Sequence, residues 1–102
     1  MKKYLMFVLG LALISTSAWA DEQKIDIKNH VFLPENATVA VGTKVTWINH
    51  DQDPHTVVER SRKFNSGAMD TNDSFSFTFT DPGTYKYFCT LHPAMVGTVT
   101  VK

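Results

Sequence analysis

The sequence predicts an all-β protein, a small antiparallel Greek-key β-sandwich of seven to eight strands. Apolar and polar residues alternate with a period of two over most segments beyond residue 20. Turn-forming residues separate these segments at short intervals, and no segment in this region has a convincing helical period. Short alternating segments separated by turns are typical of half-buried strands in a sandwich.

The first 20 residues have the composition of a secretory signal peptide. Lys2 and Lys3 precede an apolar run over residues 4–14, and the small residues that follow fit cleavage after Ala20. The alternative is a membrane anchor, but the run is shorter than the roughly 20 residues that span a bilayer. We therefore expect a periplasmic protein without stable membrane insertion, whose single domain covers residues 21–102.

The first half of this domain contains three predicted strands, a loop and a short fourth strand. Apolar residues alternate with polar ones across residues 25–27 and 45–47, and Val39 and Val41 lead to a turn at Gly42. The polar residues 49–54 predict a loop, because they lack any apolar period. A short strand is expected next, over residues 56–59.

The second half begins with residues 60–72, which lack a strand period and predict a surface loop. Residues 74–80 alternate Phe with Ser and Thr and form the clearest half-buried strand. A turn is predicted at residues 81–83, since its proline presets φ and its glycine accepts positive φ. Strands are then expected over residues 85–89 and 99–101. Aromatic side chains are expected in the core: Trp47, Phe75, Phe77, Phe79, Tyr85 and Tyr87.

Composition excludes one class of partner and favours a bound metal. Residues 21–102 carry eight basic and ten acidic side chains with no basic stripe, so nucleic acid is a poor candidate partner. A domain of this size buries a modest core and often needs a disulfide or a metal for stability. The only cysteine, Cys89, cannot form a disulfide within the chain. A metal is the remaining common solution.

Four residues have the chemistry of a copper site. Cys89, His92 and Met95 follow one another at three-residue steps after a predicted strand, and His55 lies 34 residues before Cys89. Two imidazoles, one thiolate and a weak axial thioether are the ligands of an electron-transfer copper site. Pro93 restricts the backbone of His92 and stiffens this loop.

Each of these residues also has a simpler interpretation on its own. A lone cysteine is most often a small buried hydrophobic residue, and a lone methionine most often fills a core. The joint spacing in an exported β-protein favours the metal site over these interpretations. His30 and His50 lack such neighbours and are expected to be solvated.

At these residues the chain resembles the cupredoxins, the type 1 blue copper proteins that include plastocyanin and azurin. The resemblance covers nearly all of the domain, and it is densest in residues 45–49, 54–58 and 75–101. The short Cys-x2-His-x2-Met loop is most similar to that of the amicyanins. The resemblance implies one type 1 Cu(I)/Cu(II) ion, with four residues carried over as its ligands: His55, Cys89, His92 and Met95.

The resemblance also implies that His92 is the ligand nearest to solvent, inside an apolar rim through which electrons pass. The candidate rim residues are Pro54, Met69, Pro93 and Ala94. Thr56 stands where the family often has Asn, which ties the two ligand loops together, and its hydroxyl is expected to do a similar job. Leu91 and Ala94 stand where amicyanins tend to have Pro and a large aromatic residue, which weakens the case for docking with an amine dehydrogenase.

The expected function is therefore that of a soluble electron carrier and not an enzyme. We expect a monomer whose electron donor and acceptor proteins dock transiently near His92. A copper chaperone or storage protein is the alternative, although Met69 and Met95 are the only methionines beyond residue 20. A hydrolase that uses Cys89 and a histidine is a third possibility, but so small a sandwich leaves little room for a substrate cleft.

Overall fold

Eight strands form two four-stranded sheets in the computed structural model, which describes residues 21–102. In chain order these strands are β1 (Glu22–Lys28), β2 (Val31–Leu33), β3 (Asn36–Val39), β4 (Lys44–Asn49), β5 (Val58–Glu59), β6 (Ser74–Thr78), β7 (Gly83–Phe88) and β8 (Val96–Val101). The predicted signal peptide lies outside the described residues. Within residues 21–102, no helix has the length and apolar character to cross a membrane.

The predicted all-β sandwich is confirmed, but its sheets are mixed and not purely antiparallel. One sheet has the order β2-β1-β4-β6 and the other β3-β8-β7-β5. β1 pairs with β4 in parallel, and so does β3 with β8, whereas the other pairs are antiparallel. Parallel neighbours are possible because the chain leaves each sheet between the paired strands and returns in the same direction. A period of two fixes the face of a strand and leaves its direction open.

Two parts of the strand prediction differ from the structure. β1 and β2 form a hairpin whose turn is residues 29–30, with Lys28 paired to Val31. The strand β2 was not predicted. β3 ends at Val39, so Val41 lies in the following turn with 49% of its surface exposed. Its apolar character contributes nothing to the core.

Aromatic rings form a substantial part of the core between the two sheets. Trp47 and Tyr87 are fully buried, and their rings meet edge to face at a centroid distance of 5.3 Å. Phe79 is also buried, whereas Phe75 and Phe77 are only partly buried and pack against the core. The expected aromatic core is therefore present, with these two rings at its margin.

The segment 60–72 contributes to the core, although the sequence predicts a surface loop there. Phe64 is 5% exposed. Its ring centroid lies 4.8 Å from that of Phe77 and 5.5 Å from that of Trp47. Burying one such side chain stabilises the fold by about 1.5–3 kcal/mol, which accounts for an irregular segment folding inward. Met69 of the same segment is also buried, at 3% exposure.

The hydroxyl of Tyr87 lies deep between the sheets. Burial raises the pKa of Tyr87 to about 12. The Trp47 indole N–H offsets part of this rise in pKa, although neither group reaches the geometry of a hydrogen bond. Gly97 faces this ring from β8, and a Cβ there would lie 2.4 Å from the hydroxyl oxygen. Only glycine fits at that position without displacing Tyr87.

Candidate metal centre

Two loops meet at one end of the sandwich and carry the predicted site. His55 lies in the loop between β4 and β5, and Cys89 begins the loop between β7 and β8. Hydrogen bonds within the second loop fix its shape: the Cys89 amide donates to the Met95 carbonyl at 3.0 Å, and the Met95 amide to the His92 carbonyl at 2.9 Å. Because the backbone closes this loop on itself, the side chains of its residues leave it in defined directions.

The structure brings three predicted ligands together. The Cys89 sulfur lies 3.7 Å from His55 Nδ1 and 3.8 Å from His92 Nδ1. His55 and Cys89 are fully buried, whereas His92 is half-buried at the surface. Met95, the fourth predicted ligand, is buried at the end of the same loop.

The spacing of these donor atoms fits a metal ion at the centre of the triangle. A metal–nitrogen bond of about 2.0 Å and a metal–sulfur bond of about 2.3 Å, set roughly 120° apart, separate the two donor atoms by about 3.7 Å. The observed separations of 3.7 and 3.8 Å match this spacing. Thiolate and imidazole donors suit copper and zinc better than they suit magnesium or calcium.

Asp51 orients the buried histidine. Its carboxylate lies 2.9 Å from His55 Nε2, and only 13% of the Asp51 side chain is exposed. Burial by itself raises the pKa of Asp51, but hydrogen bonds from the backbone amides of His30 and Asn29 and from His55 outweigh it and lower the pKa. An ionised carboxylate accepts a hydrogen bond from the His55 Nε2–H group. The proton then stays on Nε2, and the Nδ1 lone pair faces Cys89. Carboxylate–histidine pairs of this kind support metal ligands in many proteins.

The loop that carries Asp51 and His55 is held by Asn49, the last residue of β4. The Asn49 side chain donates to the carbonyls of Asp53 and Met69 at 3.0 and 2.9 Å, and it accepts the Asp51 amide at 2.9 Å. Asn49 is fully buried. These three bonds fix the path of the loop before any metal is considered.

Thr56 ties the two ligand loops together, as the sequence predicts. The Thr90 amide donates to Thr56 Oγ1 at 2.7 Å, and the two threonine hydroxyls lie 2.9 Å apart. The Thr56 amide also donates to the Cys89 sulfur at 3.3 Å. Thr56, which follows His55, is thereby joined to both Cys89 and Thr90.

His30 is exposed, as expected for a solvated residue, but it also lies at the site, which the sequence did not predict. Its ring stacks on His92 with a centroid distance of 4.8 Å and meets His55 edge to face at 5.1 Å. His50 is partly exposed and pairs with Asp26, as a surface residue should. The sequence contains no local signal for this difference, because His30 reaches the site through the pairing of β1 with β4.

The predicted rim is partly correct. Pro54, Pro93 and Ala94 are exposed next to the ligands in sequence. Met69 is buried, because its backbone pairs with that of His55 through two hydrogen bonds of 3.1 and 2.8 Å. This isolated backbone pairing holds Met69 against the core. The Met69 side chain is therefore not part of the surface rim.

Comparisons with known proteins agree with this architecture. A cupredoxin-like domain model matches residues 3–101. Amicyanin of Paracoccus denitrificans is 37% identical over 83 residues, which cover 76% of this chain and 63% of that protein. Plastocyanin of Scenedesmus fuscus is 35% identical over 85 residues, which cover 71% of this chain and 87% of that protein.

A solved structure extends the agreement to three dimensions. A purple cupredoxin from Nitrosopumilus maritimus superposes with a TM-score of 0.74 at 36% identity, covering 78% of this chain and 99% of that one. The chain spans less than two thirds of the Paracoccus protein but almost the whole of this structural neighbour. With a family model over nearly its full length and relatives of this identity, the chain belongs to the cupredoxin family.

Proposed function

We propose that this protein is a type 1 copper protein that carries single electrons between partner proteins. The observation that supports it most directly is the close approach of three donor atoms. The Cys89 sulfur lies 3.7 Å from His55 Nδ1 and 3.8 Å from His92 Nδ1. These three residues would hold the ion, and Met95 would be the fourth ligand. A bound copper ion supplies the one-electron couple, while the chain supplies ligation, burial and rigidity.

Rigidity is what the chain contributes to electron transfer. His55 is fixed by Asp51, and Cys89 is fixed by the Thr56 amide and by the closed loop that follows it. A ligand set that stays in place in both oxidation states needs little reorganisation when an electron arrives or leaves. The buried sulfur and the buried imidazole also exclude water from the inner side of the site.

The half-buried His92 gives the site its contact with the surface. We propose that donor and acceptor proteins dock transiently around it, against the exposed Leu91, Pro93 and Ala94. The transient nature of such contacts suits a monomeric carrier, which must release each partner after one electron. Residues 1–20 support export, and the periplasm is the compartment we propose.

The absorption spectrum of the copper-loaded protein tests this function. The oxidised protein should absorb intensely in the visible range through sulfur-to-copper charge transfer, and the band should vanish on reduction and return on reoxidation. Cys89→Ser should abolish the band, whereas Ser76→Ala, on an exposed face of β6, should leave it unchanged. A colourless Cu(II) protein with an ordinary tetragonal EPR signal would refute the proposal.

A transfer experiment separates the carrier from the copper chaperone. The reduced protein is mixed with a copper-free acceptor, and both copper content and redox state are followed. A carrier keeps its copper through repeated oxidation and reduction. Rapid loss of copper to the acceptor, without reversible electron exchange, would favour the chaperone.

A further inference from the structure

The turn between β1 and β2 carries a residue that its geometry does not favour. Asn29 and His30 have φ angles of 54° and 61°, as both residues of a type I′ hairpin turn do. Asn followed by Gly is the preferred pair for such a turn, because positive φ is costly for residues with a side chain. A histidine at the second position is uncommon, and uncommon backbone conformations of this kind cluster at functional sites.

His30 is held in place on three sides. Its amide donates to Asp51 Oδ2 at 3.0 Å, and its ring Nε2 lies 2.8 Å from Asp53 Oδ2. The third contact is the stack on His92, with 4.8 Å between centroids and 29° between ring planes. Although half of the His30 side chain is exposed, these three contacts restrict its ring, and the His92 ring packs on it.

Among the described residues, the His92 ring also meets the His55 ring, at a centroid distance of 4.9 Å and an interplanar angle of 56°. Its Nδ1 faces the Cys89 sulfur, and among residues 21–102 its Nε2 makes no hydrogen bond. His55, in contrast, is fully buried and bonded to Asp51 through its Nε2. The His30 stack is therefore one of two ring contacts that orient the half-buried His92 ring, and it is the one made by an exposed residue, whereas His55 is fully buried.

We infer that His30 is a positioning residue, which holds the His92 ring in its place beside the metal. The inference deepens the proposed function and rests on it, because it takes His92 to be a ligand. A loosened His92 ring leaves the ion more often, and each departure exposes the ion to solutes. The His30 stack opposes this departure.

The same cluster does not favour a second metal site. Donor atoms of His30, Asp53 and His92 lie within 4.8 Å of one another. However, imidazole lone pairs lie in the ring plane, and two rings within 29° of parallel do not direct theirs to a common point. The Asp53 carboxylate is also already bonded to His30. Stacking, and not chelation, is what this arrangement provides.

Three variants of the copper(I)-loaded full chain test the inference. His30→Gly removes the ring and places the preferred residue in the turn, so its folding stability should equal or exceed that of the unmodified protein. His30→Phe keeps a flat ring in place of the imidazole. His50→Ala is the matched control, because His50 pairs with Asp26 at the same 2.8 Å but contacts neither histidine of the site.

Two readouts follow His92 directly. One is the rate at which a copper(I) chelator removes the ion, and the other is the order of the His92 ring by NMR in the diamagnetic reduced protein. We expect His30→Gly to speed copper removal by about threefold to tenfold, the range that one aromatic stack supports, and to lower the order of the ring. His50→Ala should behave like the unmodified protein, and His30→Phe, which keeps a stacking ring but loses the bond to Asp53, should stay closer to the unmodified protein than His30→Gly does.

The outcomes separate this inference from the function beneath it. Unchanged copper removal and ring order in His30→Gly, with the charge-transfer band intact, would overturn the positioning role and leave the proposed function standing. The same would follow if His30→Phe were as fast as His30→Gly. Absence of the band in the unmodified protein would overturn the function and the inference together.

Discussion

The backbone amide of Thr56 donates a hydrogen bond to the sulfur of Cys89 over 3.3 Å. Thr56 directly follows His55, so the bond joins one proposed ligand to the neighbour of another across the gap between the two loops. A second connection, from the Thr90 amide to Thr56 Oγ1, lies beside it at 2.7 Å. The site is thus assembled by the protein's own hydrogen bonds.

Thr56→Val should destabilise the fold, because it leaves the Thr90 amide without its acceptor. The expected loss in free energy of unfolding is about 0.5–1.5 kcal/mol, the net contribution of one hydrogen bond, because the bond to the Thr90 amide is only partly buried. Urea unfolding of the variant measures it. Thr46→Val is the control, since its hydroxyl pairs with Ser76 on an exposed face and should cost less. Equal losses in the two variants would contradict the role assigned to Thr56.

Asp51→Asn should weaken copper binding, because the neutral amide no longer holds the His55 proton on Nε2. Loss of such a carboxylate partner typically lowers metal affinity by about 10–100-fold. Competition with a copper chelator of known affinity measures the change. Asp26→Asn removes the carboxylate that pairs with His50 and should leave the affinity unaltered. An affinity that falls equally in both variants would argue against an orienting role for Asp51.

Met95→Leu should keep copper bound but raise the reduction potential. Leu has nearly the volume of Met, so the fold tolerates it, but it offers no sulfur to the more highly charged oxidised ion. Voltammetry of the loaded protein gives the potential. The other buried methionine provides the control, because Met69 contacts His55 through its backbone and Met69→Leu keeps that pairing. A potential that moves only in the Met69 variant would show that the axial assignment is wrong.

Tyr87 should make the protein lose stability at high pH. Its pKa is raised from 10.0 to about 12 by burial, so between these values only the unfolded chain releases the proton. Unfolding is then favoured as pH rises, and a difference of this size corresponds to about 3 kcal/mol. The contribution is fully present below pH 10 and is lost by about pH 12.

Denaturant unfolding at several pH values between 9 and 12 checks this expectation, with Tyr87→Phe showing a smaller loss than the unmodified chain. Tyr85→Phe is the matched control, because its hydroxyl already donates to the Asp81 carbonyl at 2.7 Å. If the Tyr87 variant lost as much stability as the control, another group would have to account for the alkaline transition.

Much of the fold and the four candidate ligands were accessible from the sequence for simple physical reasons. Alternation places Ile25, Ile27 and Val45 on an inward face whichever strand they pair with, and all three are buried. Cys89 and His92 are three residues apart on a closed loop, so local geometry alone brings them together. His55 was a candidate through the chemistry of its side chain and not through local geometry, because it lies 34 residues before Cys89.

The parts that were missed depend on long-range pairing. Phe64 and Met69 are apolar residues in a segment without a period, and only the neighbouring sheet decides that they fold inward. His30 reaches His92 because Ile27 of β1 pairs with Asn49 of β4, a register that no local pattern encodes. The parallel direction of that pairing is equally invisible in a pattern that repeats every second residue.

The bond between the Cys89 amide and the Met95 carbonyl has a consequence for the order of events in the cell. A loop that is closed by its own backbone hydrogen bonds can fold before a metal ion binds. Copper and zinc both favour thiolate and imidazole donors, so either ion could bind to the same preformed site. Which of them occupies it is then decided by what the compartment delivers first, and so by supply more than by shape.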